Sequence, residues 1–232
     1  MLWGLQPVQQ KAAYGLAVER LRRLIRLGLL LPSERMPPER KLAEQISISR
    51  VTLREALKVL ESEAYVLVKR GSQGGTFVQQ EAELRRMAQR QLAGDPAAAL
   101  RVYEYRETTE PTGARFAAVR RTPADLKQLA TALREIDKAE SVGALRRGQN
   151  LLHLAVAEAS GNRFLAKGLE DALTALFLPL EEGPLDRRRA ETLSLLSPLY
   201  EAIQARHEPE AERRMTAILA QQRRRLPNLR VA

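Results

Sequence analysis

Apolar residues recur at helical spacing near the start of the chain: Tyr14, Val18, Leu21, Leu24 and Ile25, with Leu27 beside them. That period predicts an amphipathic helix over 14–27. Gly28 is the expected stop, because glycine tolerates the left-handed conformation that commonly follows a last turn. Pro32 lies where the chain must already have left the helix, and Pro37 and Pro38 mark a fresh start. Leu42, Ala43 and Ile46 give the next short segment one apolar face. Ser47-Ile48 makes a compact turn, and Ser49 is placed to cap a further helix. From there Leu53, Ala56, Leu57 and Leu60 fall on one face at i, i+3, i+4 and i+7, which turns Val51, Arg54, Glu55 and Lys58 outward. Residues 65–68 and 76–78 are β-rich runs separated by Gly71, Gly74 and Gly75. They predict a hairpin with a loose tip carrying Lys69-Arg70-Gly71.

Beyond Val78 the pattern changes. Residues 81–232 show no convincing strand, and punctuation near 94–96, 122–123, 141–143, 161, 183–184 and 208–209 divides them into helices. Six or seven helices of roughly 15–22 residues follow, an all-helical bundle. Pro111 is expected to kink or interrupt the helix beginning near Ala97. The fold class is therefore mainly α. Residues 1–79 form a winged helix-turn-helix with a small β-hairpin wing, 80–94 a partly helical connector, and 95–232 a C-terminal all-α bundle.

The apolar share of 44% supports real cores, and no stretch is long or pure enough to span a bilayer. Without cysteine there are no disulfides, no thiolate chemistry and no Cys-type zinc sites. The N-terminus lacks the charged-then-apolar layout of a signal peptide, so a cytoplasmic protein is the simplest reading. A net charge of +10 says little by itself. Its distribution says more: residues 1–80 carry 13 Lys/Arg against 7 Asp/Glu, whereas 81–232 carry 25 against 21. The first third is the more electropositive part, as a surface that tracks phosphates requires. Basic helices solvated by arginine account for the remainder.

A helix-turn-helix lays its second helix in the major groove, with that helix's N-terminal residues on base edges. Here those residues are Ser49, Arg50, Val51 and Thr52. Arg50 and Arg54 suit forked hydrogen bonding, to guanine or to phosphate. Val51 and the Thr52 methyl suit a thymine methyl, and the Ser49 and Thr52 hydroxyls suit phosphate or base contacts. Arg40, near the start of the preceding helix, is placed to grip the backbone. Lys69 and Arg70 beside Gly71 form a basic tip for a narrow minor groove. The bland alternative is a helical hairpin whose surface happens to be basic. The conjunction of two helices, a compact turn, a hydroxyl-Arg opening and a basic glycine-bearing wing favours DNA.

Residues 20–78 resemble the DNA-binding domain of the GntR family of bacterial transcription regulators. The resemblance is carried by Pro37-Pro38-Glu39-Arg40-Lys41-Leu42-Ala43-Glu44 and by Ser49-Arg50-Val51-Thr52-Leu53-Arg54-Glu55-Ala56-Leu57. In the wing it is carried by Arg70-Gly71 followed by Gly75-Thr76-Phe77-Val78. It implies that Arg40, Ser49, Arg50, Thr52, Arg54, Arg70 and Gly71 lie at the DNA. The family often has glycine where Ser33, Ser47 and Ala64 stand. All three are turn positions, and the expected cost is about a kilocalorie per mole or less each if φ is negative there.

Residues 81–225 more weakly resemble the all-helical, FCD-type ligand-sensing domain of the FadR subfamily. The carriers are Tyr105-Arg106-Glu107 with Glu110, then Ala114, Ala117 and Ala118, Leu152-His153, Ala159-Ser160-Gly161-Asn162, Tyr200-Glu201-Ala202-Ile203 and Met215. Many members hold a divalent metal with an aspartate one helical turn before a histidine and two later histidines. Here the aspartate position is Gln149, the retained histidine is His153, and the later positions fall at Leu196 and Ile218. One imidazole and one amide do not replace a carboxylate and three imidazoles, so a domain without metal or other cofactor is expected.

Arg106, Glu110, Gln149 and His153 are the candidate effector residues. The resemblance sets an acidic ligand on Arg106, and a buried arginine needs an anionic partner. An internal pair with Glu110 at i, i+4 spacing serves equally well. His153 is as readily an ordinary buried hydrogen-bonding histidine as a ligand contact. Asn162 suits a helix cap better than a ligand group. The arginine triplets 187–189 and 223–225 suit solvated helix ends better than attraction of nonspecific DNA or CoA phosphates.

These readings converge on a regulator that binds a short palindromic operator in double-stranded DNA as a homodimer, since one reader covers too few base pairs for gene-level specificity. A small organic acid or acyl thioester in the helical domain would bias the spacing of the two readers. The alternative is an architectural or effector-independent DNA-binding dimer. His153 and His207 are the only histidines, and with no cysteine and no phosphate-cradling loop an enzyme is not expected.

Overall fold

The computed structural model describes residues 13–71, 74–175 and 184–224. Its first unit comprises α1 (Ala13–Leu27), α2 (Glu39–Gln45), α3 (Arg50–Ser62) and an antiparallel hairpin of β1 (Val66–Lys69) and β2 (Gly75–Val78). Ala17, Val18, Leu21 and Ile25 of α1 share one buried cluster with Leu53, Ala56, Leu57 and Leu60 of α3. Tyr14 falls outside that face and stays exposed. Gly28, at φ +79°, ends α1 in the left-handed conformation. A third edge, absent from the sequence reading, comes from residues 34–36. The Met36 N–H donates to the Thr76 carbonyl and the Val78 N–H to the Glu34 carbonyl, both at 2.9 Å.

Ser33, Ser47 and Ala64 adopt φ of +63°, +57° and +62°. The condition of a negative φ therefore fails at all three. In the left-handed region a Cβ crowds the following carbonyl oxygen, at a cost of roughly 1–2 kcal/mol per residue.

α4 (Glu81–Gly94) is helical throughout, and its Leu84 and Ala88 join the core of the first unit. The second unit packs α5 (Pro96–Arg120), α6 (Pro123–Asp137), α7 (Val142–Ala159), α8 (Arg163–Ala175), α9 (Leu185–Gln204) and α10 (Glu208–Arg224). Asp95, Thr122 and Ser141 each accept a backbone N–H three residues on, which starts α5, α6 and α7. Pro111 does not interrupt α5, nor does Pro198 interrupt α9. In α5 the missing N–H is outweighed by tertiary packing, since Pro111, Gly113, Ala114, Ala117 and Ala118 are all buried on the bundle side. Among the described residues no strand follows β2, and no helix is long and apolar enough to cross a membrane.

The two units dock through α1. Leu27 clusters with Ala157, Ala166, Leu169 and Leu173 of α7 and α8 rather than with its own helix's core. Asn150 Nδ2 donates to the Leu27 carbonyl at 3.1 Å, and Arg26 Nη1 to the Thr174 carbonyl at 3.0 Å. Arg23 reaches Glu170 and Asp171, each at 2.7 Å. Glycine permits the close approach: a Cβ at Gly143 would lie 2.8 Å from Pro32 Cδ.

Candidate functional site

α3 begins at a side-chain cap. Ser49 Oγ accepts the Thr52 N–H at 3.0 Å and lies 2.8 Å from Thr52 Oγ1. Both hydroxyls, read from the sequence as DNA contacts, are thus engaged in the cap. Arg50, Val51 and Arg54 point outward, with Val51 72% exposed, while the leucines of α3 are buried. Arg54 Nε donates to Glu39 Oε2 at 2.8 Å, and Arg40 Nη1 to Glu44 Oε1 at 3.2 Å. Exposed pairs of this kind are worth about 0–1 kcal/mol, so a phosphate or base edge takes such arginines over at little cost. Glu39, which enters the sequence reading only as part of the family resemblance, sets where Arg54 rests. In the wing, Lys69, Arg70 and Gly71 are exposed, and Gly71 has φ +102°.

A second candidate site lies between α5, α7 and α10. Arg106 Nε donates to Glu110 Oε1 at 2.5 Å, and His153 Nδ1 lies 2.5 Å from Glu110 Oε2. All three side chains are buried. Burial by itself raises the Glu110 carboxyl, but the charge of Arg106 and the adjoining His153 overcome it and hold it at about 2. An ionised carboxylate only accepts, so the His153 Nδ1 carries a proton. The His153 Nε2 faces Gln222 Nε2 at 3.4 Å, and the neighbouring Arg223 donates to Glu107 at 2.5 Å. Neither α10 contact was anticipated, because the sequence gives no spacing that relates residues 222–223 to α5 and α7.

Gln149 does not join this group; its Nε2 donates to Thr192 Oγ1 at 2.9 Å. Leu196 and Ile218 lie in the apolar core of the bundle. The set therefore offers one imidazole, already bonded to a carboxylate that Arg106 neutralises, and it does not fit a divalent metal ion. Beside Glu110 and His153 is a cavity of about 10 Å³, lined also by Gly113, Val156, Leu165, Leu169 and Met215. That is room for one water. Arg106 is not among its walls.

Asn162 caps α8, accepting the Phe164 N–H at 3.0 Å. The arginine triplets are not simply solvated helix ends. Arg188 is buried, Arg189 donates to the Ala139 carbonyl and to Asp186, and Arg223 holds Glu107. Arg225 lies outside the described residues. His207 is exposed and accepts the Glu210 N–H at the start of α10.

Two family models match the chain: bacterial regulatory proteins of the gntR family over residues 13–78, and the FCD domain over residues 101–221. The chain belongs to the GntR family. It is 33% identical over 159 residues to the HTH-type transcriptional regulator LutR of Bacillus subtilis (strain 168), covering 67% of this chain and 71% of that protein. It is also 33% identical over 141 residues to the Uxu operon transcriptional regulator of Escherichia coli (strain K12), covering 59% and 54% respectively. Among solved structures, E. coli McbR/YncC has the same fold, with a TM-score of 0.55 at 21% identity over 92% of this chain and 97% of that one. The chain is thus a GntR-family DNA-binding transcription regulator with an FCD domain, a winged helix joined to a helical bundle. The families it matches are regulators rather than enzymes.

Proposed function

We propose that this GntR regulator acts in the cytoplasm, reads a two-fold operator as a homodimer, and does so through Arg40, Arg50, Val51, Arg54 and the wing residues Lys69, Arg70 and Gly71. Ser49 and Thr52 serve it chiefly by capping α3. The observation that carries the reading is the N-terminal turn of α3, where Val51 stands exposed next to Arg50 while every leucine of the helix is buried. Arg50→Ala and Arg54→Ala should each cost about 1–3 kcal/mol and relax discrimination at one base pair, measured by fluorescence anisotropy across mismatched operators. A uniform, salt-sensitive loss across all sequences would make them phosphate contacts instead.

For the helical unit we propose a metal-free effector site at Arg106, Glu110 and His153, with Gln149 outside it. A small organic acid or acyl effector would compete with Glu110 for Arg106, and its entry requires α8 or α10 to shift. α8 supports such a coupling, because Leu165 and Leu169 line the cavity while Glu170, Asp171 and Thr174 hold α1. A coupling of about 1–3 kcal/mol suffices for a roughly 5- to 150-fold change in operator affinity. One observation favours the effector-independent reading: Glu110 already neutralises Arg106, in a site with room for one water. Native mass spectrometry of the purified protein separates the two. A co-purified organic anion supports the sensor. A bare protein whose operator affinity ignores a panel of organic acids supports the constitutive regulator.

A further inference from the structure

We propose that Arg35 is a positioning residue for the wing: it locks the start of β2 in place and so sets operator affinity, without itself contacting DNA. The proposal rests on the reading of Lys69, Arg70 and Gly71 as DNA contacts. Arg35 lies opposite Phe77 in an antiparallel bridge. The hydrogen bonds of that edge run from Met36 to Thr76 and from Val78 to Glu34, on either side of the pair. Arg35 and Phe77 are therefore a non-hydrogen-bonded pair, the arrangement in which facing side chains come closest.

The guanidinium makes use of that closeness in three ways. Its carbon lies 6.0 Å from the centre of the Phe77 ring, which also receives Lys69 Nζ at 4.9 Å. Its Nη2 donates to the Gly74 carbonyl at 2.6 Å. Its Nε occupies the space where a side chain on residue 75 would begin, since a Cβ built at Gly75 would lie 3.1 Å away. Gly75 also has φ +144°, so glycine there serves both the backbone and the arginine. Gly74 is equally constrained, as a Cβ there would fall 2.5 Å from the Lys69 carbonyl.

A two-stranded hairpin of this length is marginal alone. Arg35 ties its return strand to the segment that leads into α2, and so relates the wing to the helix-turn-helix. A planar fork that stacks and donates at once is a guanidinium property that lysine lacks.

The test uses the full chain. Without DNA, R35A and R35K should both speed amide hydrogen exchange over residues 74–78 about tenfold or more, with α3 unchanged. Exchange like that of the wild type in R35A, or full rescue by R35K, would overturn the proposal. On an operator, R35A and R70A should each weaken binding about tenfold, and R35A/R70A should fall well short of the hundredfold product of the two. Losses that multiply to about a hundredfold would make Arg35 an independent DNA contact and overturn the positioning role. An R70A chain that binds like the wild type overturns the wing reading itself, a result distinct from multiplying losses.

Discussion

Ser33, Ser47 and Ala64 each hold a left-handed backbone that glycine adopts without strain. Replacing any one of them by glycine should raise stability by about 1 kcal/mol, the strain relieved less the entropy that glycine adds to the unfolded chain. Thermal unfolding of the three single variants checks this, and melting points at or below that of the wild type would contradict it. The sequence marked all three as turns but not the sign of φ, because neither serine nor alanine reveals which side of the Ramachandran map its turn demands. The outward-facing residues of α3 were more legible. Val51 and Arg54 were placed outward by a simple count from the buried leucines of α3, whereas the cap that engages Ser49 and Thr52 changed what their hydroxyls are doing. Arg35 carried no such signal, since the edge pairing that makes it useful is long-range in sequence.

Helix starts were legible because their signals are local: Ser49 reads as a cap, and punctuation marks the breaks where Asp95, Thr122 and Ser141 each prove to meet a free N–H. Pro111 marks no break because burial of an alanine-rich face, a tertiary effect, decides the continuity of α5. The same division holds in the bundle site. An Arg106–Glu110 pair is implied by i, i+4 spacing within α5, but His153 and Gln222 reach it only through the packing of α7 and α10. Glu110 thus ties α5 to α7, and His153 passes the link on to Gln222 of α10. Glu110→Gln leaves Arg106 buried without a counter-charge and should cost about 3–5 kcal/mol in chemical denaturation. The Glu110 carboxyl is lowered from an ordinary 4.5 to about 2 in the folded state. Its contribution is therefore complete above the ordinary value and lost as pH falls from 4.5 towards 2. The wild type should lose stability across that window by a component that Glu110→Gln lacks, and parallel acid profiles would contradict an ionised Glu110.

On the scale of the whole molecule, the reader and the bundle are joined by α1 and the loop after it. Leu27 reads from sequence as one more apolar position of an amphipathic helix, yet it belongs to the core of the partner unit. Arg146 of α7 is half-buried at this side of the bundle, where desolvation lowers it to about 10 despite the opposing attraction of Glu81 in α4. The shared Leu27 cluster and the Arg23 and Asn150 contacts couple the two units, so the wild type should unfold in a single calorimetric transition. Gly143→Val, which forces α7 away from Pro32, should split that transition in two; a single transition at an unchanged temperature would count against a rigid joint. In the proposed function the chain reads a specific two-fold DNA sequence with α3 and its wing. Selection of duplexes from a random library by the full-length protein tests it most directly. The expected result is enrichment of one inverted repeat whose half-sites centre about 34–36 Å or a multiple apart, lost in Arg50→Ala. Retention of random duplexes without any enriched repeat would contradict it and leave an architectural DNA-binding dimer.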